Sequence, residues 1–454
     1  MQADEEPTQA SIRARLRPAE LLAELGCDGD EAELSRPLTL DATQMVVEAE
    51  SDASGGERYI GLPSATGVDA PSVAAAPLGP VEADARTPPL GVAYLLPGLP
   101  PEGSGGSHSL VQEARGLRGL GAHARICVPV ESLDAAATLY GNDDALFVAY
   151  ADESRLPDAV GDARVVVATE HPSVALAERL THTRPGLVCA YYIQDYEPLF
   201  APPHAVRSDR ALLSYRAIPG QLLFAKTHWL RNVVSALHGV PVAKVAPSLD
   251  RELFHERGRQ ESERELRVGA MIRPRTPRRR PLATLAALRL ISAQLGERAR
   301  IVTFGCDQES FDLLEGREIP NVRHLGLLSR REVSELMRAC DVFIDASAYQ
   351  AFGRTGLEGM ACGAVPVLPA FGGVHEYAVH DGNAIVLDDG DPTVIAAAVL
   401  ALGGDRERLR RLRQAGLLTV RDFSIERAAR SQLELFSAVA DAAAPRRLAP
   451  VAAG

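Results

Sequence analysis

Residues 350–367 place a neutral amide, a glycine turn, a helix start and a buried strand in one run: Gln350-Ala-Phe-Gly-Arg-Thr-Gly-Leu-Glu358-Gly-Met-Ala-Cys-Gly-Ala-Val-Pro-Val. That order suits an anion. Gly353 lets the backbone come close to a ligand, and a helix expected over 355–362 turns its first unpaired N–H groups towards it. Glu358, expected on the first turn, can accept a hydrogen bond from a sugar hydroxyl while the helix end holds a phosphate. Gln350 can also bind a sugar hydroxyl, but without charge. The ligand implied is a nucleotide; the plainer alternative is a Gly-rich strand-to-helix connection of an α/β protein.

A second group is Arg267-Val-Gly-Ala-Met-Ile-Arg-Pro-Arg-Thr-Pro-Arg-Arg-Arg280, a strand running into guanidinium groups at its carboxyl end. Arginine forks can grip two phosphate oxygens and stabilise a diphosphate leaving group, with a solvated basic loop as the plainer alternative. Earlier in the chain, Pro97-Gly-Leu-Pro-Pro-Glu-Gly-Ser-Gly-Gly-Ser-His108 follows an apolar strand and precedes a helical pattern. Its glycines let the backbone approach a ligand, with a surface turn as the alternative, and His108 sits at the helix start. The segment Ala190-Tyr-Tyr-Ile-Gln-Asp-Tyr-Glu-Pro198 ends a buried strand with acids at its tip. Asp195 and Glu197 there either accept hydrogen bonds from an acceptor hydroxyl or cap the next turn and pair with Arg207. Thr169-Glu-His-Pro172 falls at another strand end.

These groups need a scaffold that gathers strand ends. From residue 90, short apolar runs alternate with helical patterns, which implies βαβ units and parallel sheets. Strands are expected at 91–96, 124–130, 146–150, 165–168, 187–193 and 222–225, and again at 267–272, 300–304, 342–345, 365–369 and 384–387. The expected organisation is a mostly disordered acidic segment over 1–88, two Rossmann-like domains over 89–250 and 251–441, and a flexible tail over 442–454. A final helix is expected over 424–439, and the crevice belongs at the carboxyl ends of both sheets.

Composition narrows the function classes. The formal net charge is −12, but residues 1–88 hold 17 acids against 6 arginines, so the rest is nearly neutral and does not suit a nucleic-acid binder. Only Lys226 and Lys244 are lysines, so a site that ordinarily uses lysine can use arginine here. The six cysteines lack a paired spacing, which favours free thiols and disfavours zinc. No apolar run reaches eighteen residues and the acidic N-terminus has no signal pattern, so the cytoplasm is the expected compartment. Residues 11–25 can form one amphipathic stretch interrupted by Pro18; it reads as a transient helix or as a contact with a protein partner or the inner membrane face.

The spacing from Gln350 to Glu358 resembles the E-x7-E motif of family 4 GT-B glycosyltransferases, with Gln in the first acidic place. Arg273 and Arg279 resemble the R-x5-K pair of the same family, with Arg for Lys. The order of 321–326, 341–347, 372–377 and 381–383 is also similar to family second domains. Residues 190–198, Arg-Pro-x-Thr-Pro-Arg at 273–278 and Phe-Gly-Arg-Thr at 352–355 narrow the resemblance to bacterial rhamnosyltransferases of rhamnan and S-layer glycan assembly. It implies an α/β GT-B fold with two Rossmann-like domains facing across a cleft and a last helix crossing back to the first domain. It also implies retaining transfer of a hexosyl, deoxyhexosyl or rhamnosyl unit from a nucleoside diphosphate sugar to a glycan or lipid-linked acceptor, with no metal or other cofactor.

On that resemblance the donor is held by Arg273, Arg279, Phe352, Gly353, Arg354, Thr355, Glu358, Gly105 and Gly106. Gln350, Asp195 and His171 serve catalysis, and Glu197 and His108 lie on the acceptor side, although Glu170 competes with His171 for its place. A non-catalytic nucleotide-sugar-binding scaffold is the alternative that Gln350 raises, and an epimerase is a weaker one.

Overall fold

A computed structural model describes residues 89–101, 103–200, 205–259 and 265–443. The expectations for 1–88, including the 11–25 stretch, and for 444–454 lie outside these residues. Among the described residues, internal packing gives two units, a short one over 198–200 and 205–209 and a second over 89–197 and 210–443. The second unit holds both sheets.

The first sheet contains β1 (Gly91–Leu95), β2 (His123–Pro129), β3 (Phe147–Tyr150), β4 (Val165–Ala168), β5 (Val188–Ile193), β6 (Leu222–Ala225) and β7 (Val242–Lys244) in the order β3-β2-β1-β4-β5-β6-β7. The second contains β8 (Leu266–Met271), β9 (Ala299–Phe304), β10 (Val322–His324), β11 (Val342–Ile344), β12 (Val365–Pro369) and β13 (Ile385–Leu387) in the order β10-β9-β8-β11-β12-β13. All these pairings are parallel. Central strands such as β4 and β12 are buried along their whole length, which is why they read as unbroken apolar runs.

The edge strands β7 and β10 were not among the expected strands. Each has three residues, and β10 leaves Arg323 exposed, so neither offers an apolar run to recognise.

The helices that bear on the site are α1 (Gly105–Gly119), α2 (His171–Thr183), α3 (His228–His238), α4 (Pro281–Leu295), α5 (Arg330–Ala339), α6 (Arg354–Ala361) and α7 (Ile425–Ala443). Strand order reverses between β1 and β4 and between β8 and β11, so the loops leaving these strands diverge and open a crevice. Those loops carry the Gly-rich run, Thr169-Glu170, the arginine cluster and the Gln350 turn.

Helix α7 continues to Ala443, beyond the expected end at 439, and lies along α1. A Cβ on Gly116 would fall 2.8 Å from the Ala429 Cβ, so the glycine permits this approach. Tyr94 donates to Gln432 Oε1 at 2.6 Å, and Gln432 Nε2 donates to Glu113 Oε2 at 2.7 Å. Two apolar clusters fill the two faces of the second sheet, and a third fills the first with help from Ala429 and Phe436. Cys127, Cys189, Cys306, Cys340 and Cys362 are free and buried, while Cys27 lies outside the described residues.

Candidate functional site

Helix α1 begins at the crevice because Ser104 and Ser107 cap each other reciprocally. Gly105 and Gly106 therefore occupy its first turn. A Cβ on Gly105 would lie 3.9 Å from the Arg354 side chain, and one on Gly106 would lie 3.3 Å from Gln194 Nε2. Gln194, at the end of β5, keeps its amide oxygen buried with no hydrogen-bond partner.

His108, on the same turn, contacts Tyr140 Oη through Nδ1 at 2.8 Å. Burial lowers its pKa to about 3, helped by the charges of Arg330, Arg354 and Arg273. The imidazole is neutral at neutral pH. The charges of Arg273 and Arg330 act on His108 from the second-sheet side, and Arg354 reaches α1 itself through Ser109 Oγ and Gln112 Oε1. Among the described residues, the Arg273 side chain makes no hydrogen bond or ion pair.

Helix α6 starts at Arg354, one residue before the expected start, so Glu358 lies on its second turn rather than its first. Gly353 caps the helix with φ +79°, accepts a bond from Tyr377 Oη at 2.6 Å, and leaves no room for a Cβ against that hydroxyl. Arg354 then spans the two sheets. Its Nε donates to Glu358 Oε1 at 2.7 Å, Nη1 to Ser109 Oγ at 2.7 Å and Nη2 to Gln112 Oε1 at 3.0 Å. Arg330 lies 4.0 Å from the same Glu358 oxygen. Glu358 is buried and already paired, so a ribose would share it with these arginines. The Phe352 ring is buried edge-on to Tyr377, which leaves its backbone for a ligand.

Asp345 collects the next group. Its carboxylate accepts from Gln350 Nε2 at 2.5 Å, Arg279 Nη1 at 3.5 Å, Thr355 Oγ1 at 3.5 Å, Ser347 N at 3.1 Å and the Ser347 hydroxyl. Arg279, Asp345, Ser347 and Thr355 line one small cavity.

The acids of the first sheet do not converge as expected. Asp195 pairs with Arg278 at 2.9 Å, not Arg207, and accepts from Tyr196 N at 2.9 Å. Burial raises its pKa while Arg278 opposes the rise. Glu197 accepts from His171 N at 2.9 Å, from Tyr191 Oη at 2.7 Å and faces His171 Nδ1 at 2.6 Å. His171 and Glu197 are thus paired with each other at the start of α2, with both side chains largely buried.

Lys226 was missed as a site residue. It is buried at the end of β6, donates to Ser109 Oγ at 3.0 Å, and lies 5.5 Å from the Tyr192 ring centre and 5.7 Å from that of Phe352. Burial lowers its pKa to about 8. Its rarity and its place just after a strand were the available signal. Arg330, Ser109, Gln112 and Asp345 were also missed, because each acquires meaning only from contacts between distant segments.

Asp389 and Asp391 form a local turn, with Asp391 capping the helix Pro392–Gly404. Among the described residues no group of three His, Cys, Asp or Glu could hold a metal ion, and no helix is long and apolar enough to cross a membrane.

Residues 260–418 match the family model described as "Glycosyl transferases group 1". A stretch of 226 residues, 46% of the chain, is 32% identical to the O-antigen biosynthesis protein RfbC of Myxococcus xanthus and covers 17% of it. A stretch of 110 residues, 24% of the chain, is 31% identical to the D-inositol 3-phosphate glycosyltransferase of Xylanimonas cellulosilytica and covers 26% of it. The chain thus spans only a minor part of the length of these curated relatives. Anabaena HepE, solved in complex with UDP, aligns with 77% of this chain and 100% of its own at a TM-score of 0.62 and 15% identity. The fold is GT-B, with two parallel-sheet Rossmann-like domains.

Proposed function

We propose that this protein is a glycosyltransferase that binds a nucleoside diphosphate sugar in the crevice and transfers its hexosyl or deoxyhexosyl unit to a glycan or lipid-linked acceptor. The observation that carries this reading is that Arg354 joins Glu358 to Ser109 and Gln112 of α1, that Arg330 lies 4.0 Å from the same carboxylate, and that the Arg273 side chain has no described protein partner. Three cations beside a helix start suit a diphosphate better than a single phosphate or a neutral ligand. The match of residues 260–418 to the group 1 model and the UDP bound by HepE support the same class of donor.

The chemistry proposed is retaining. The bond from the anomeric carbon to the diphosphate breaks, and the acceptor oxygen bonds to that carbon from the same face. The acceptor proton passes to the departing phosphate oxygen. The arginines stabilise the negative charge that collects on the leaving group, so the protein need not supply a separate strong base. Rhamnose as the transferred sugar rests on the sequence resemblance, and a role in polysaccharide assembly also draws on the likeness to RfbC. Contact with a protein partner or the inner membrane face through 11–25 lies outside the described residues.

The test is release of nucleoside diphosphate from UDP-, dTDP- and GDP-sugars in the presence of crude glycan acceptors. Acceptor-dependent release from one donor is expected. Binding of a nucleoside diphosphate sugar without transfer to any acceptor would favour the second reading, a non-catalytic scaffold subunit, which the uncharged Gln350 motivates.

A further inference from the structure

The motif around Gln350 lacks a carboxylate at its first position, yet a carboxylate lies one hydrogen bond behind it. Gln350 is buried, and its Nε2 donates to Asp345 Oδ2 at 2.5 Å and to Ser347 Oγ at 3.2 Å. Only an N–H can rest against an ionised carboxylate oxygen, so Asp345 fixes which way the amide faces. With both N–H groups committed, the side chain can offer a ligand nothing except its carbonyl oxygen, which can only accept. Asp345 is itself anchored by Ser347, Thr355 and Arg279, and it follows directly on the end of β11. Its position is therefore set by the sheet rather than by a mobile loop.

We propose that Asp345 and Gln350 divide the work of one acidic residue: Gln350 is a sugar-specific hydrogen-bond acceptor, and Asp345 is the positioning residue that orients it and carries the charge. This rests on the nucleotide-sugar reading. The ligand group is a hydroxyl of the donor sugar, absent from the bare nucleoside diphosphate. Restoring an acid at position 350 alone would set two carboxylates against each other at hydrogen-bond distance, where both cannot remain ionised without cost. Moving the acid from 345 to 350 and the amide from 350 to 345 would keep one charge and one donor pair.

The experiment compares wild type, Q350E, D345N and D345N/Q350E by calorimetry. The probes are the pairs UDP with UDP-glucose, dTDP with dTDP-rhamnose and GDP with GDP-mannose, and the pair whose sugar nucleotide binds the wild type most tightly is used. Q350E and D345N should each bind the sugar nucleotide at least tenfold more weakly. Q350E should bind the bare diphosphate within about twofold of wild type, and the double variant should recover sugar-nucleotide affinity to within about threefold. A structural role alone would move both ligands of the pair together and would give no sugar-specific rescue.

Q350E equal to or tighter than wild type, or a double variant no better than Q350E, would overturn the proposal while leaving the donor class intact. Failure of the wild type to bind any of the six probes would overturn the nucleotide-sugar reading, and this inference with it.

Discussion

The two sides of the crevice are built differently. On the second-sheet side, most candidate ligand groups fall in two short stretches, 273–279 and 345–358, that follow the adjacent strands β8 and β11, with Arg330 added from α5. On the first-sheet side, Ser109, Gln112, Gln194 and Lys226 come from three segments separated by scores of residues, and most are buried and paired. One side presents cations to an anion; the other supplies a helix start and a polar seam that receives Arg354. A site assembled from contiguous loops is written as a motif, whereas one assembled by topology has no local spelling.

Arg354 joins the two sides, so its loss should have the largest effect. Arg354→Ala leaves buried Glu358 without its nearest partner and removes two contacts to α1. Breaking one half of a buried ion pair costs about 3–5 kcal/mol. Urea unfolding should therefore shift to a clearly lower midpoint, and donor turnover should fall in parallel. An unchanged midpoint would show that the seam does not hold the sides together.

Arg273→Ala sharpens the contrast, because this guanidinium holds no described protein group. It should unfold at the wild-type temperature yet bind the nucleoside diphosphate about 1.5–3 kcal/mol more weakly in calorimetric titration. Arg279→Ala should also weaken binding, with a stability cost because Asp345 loses a partner. Equal affinity in both variants would remove the diphosphate from this position.

Glu197→Gln tests the side read as structural. It weakens the bonds that hold His171 and Tyr191, so a stability loss of about 1–3 kcal/mol is expected with diphosphate affinity unchanged. A selective loss of turnover at full stability would return Glu197 to the substrate.

The smallest effect concerns Lys226 and depends on pH. Folding lowers its pKa from 10.5 to about 8, so between those values the unfolded chain binds a proton that the folded protein has shed. Stability from this group therefore rises with pH across that window, and below pH 8 its full burial cost is present. Lys226→Met should raise the melting temperature at pH 7, with the gain shrinking by pH 10. A gain independent of pH would mean that the charge is not its source.

The same contrast explains how much the sequence revealed. The α/β class and both parallel sheets were legible because strands such as β1, β4 and β12 bury unbroken apolar runs. The three-residue edge strands β7 and β10 carried too little pattern, whereas the equally short edge strand β13 kept an apolar run, Ile385-Val-Leu387. Gln350, Glu358, Arg273 and Arg279 stood out because each sits in a short run whose residue types and spacing form a motif by themselves. Asp345 was visible only as the end of a scaffold strand, since its contacts with Gln350, Thr355 and Arg279 arise from packing that no local spacing spells. Asp195 and Glu197 looked alike at one strand tip, yet one meets Arg278 and the other closes on His171, a distinction that only long-range packing makes.

The central claim is that a nucleoside diphosphate occupies the space between the first turn of α1 and the guanidinium groups of Arg273, Arg330 and Arg354. A crystal structure of the protein with the tightest-binding diphosphate of UDP, dTDP and GDP measures this most directly. The account predicts phosphate oxygens about 3 Å from the Arg273 guanidinium and from backbone N–H groups at Gly105 or Gly106. A diphosphate bound elsewhere, or no binding at millimolar concentration, would contradict it.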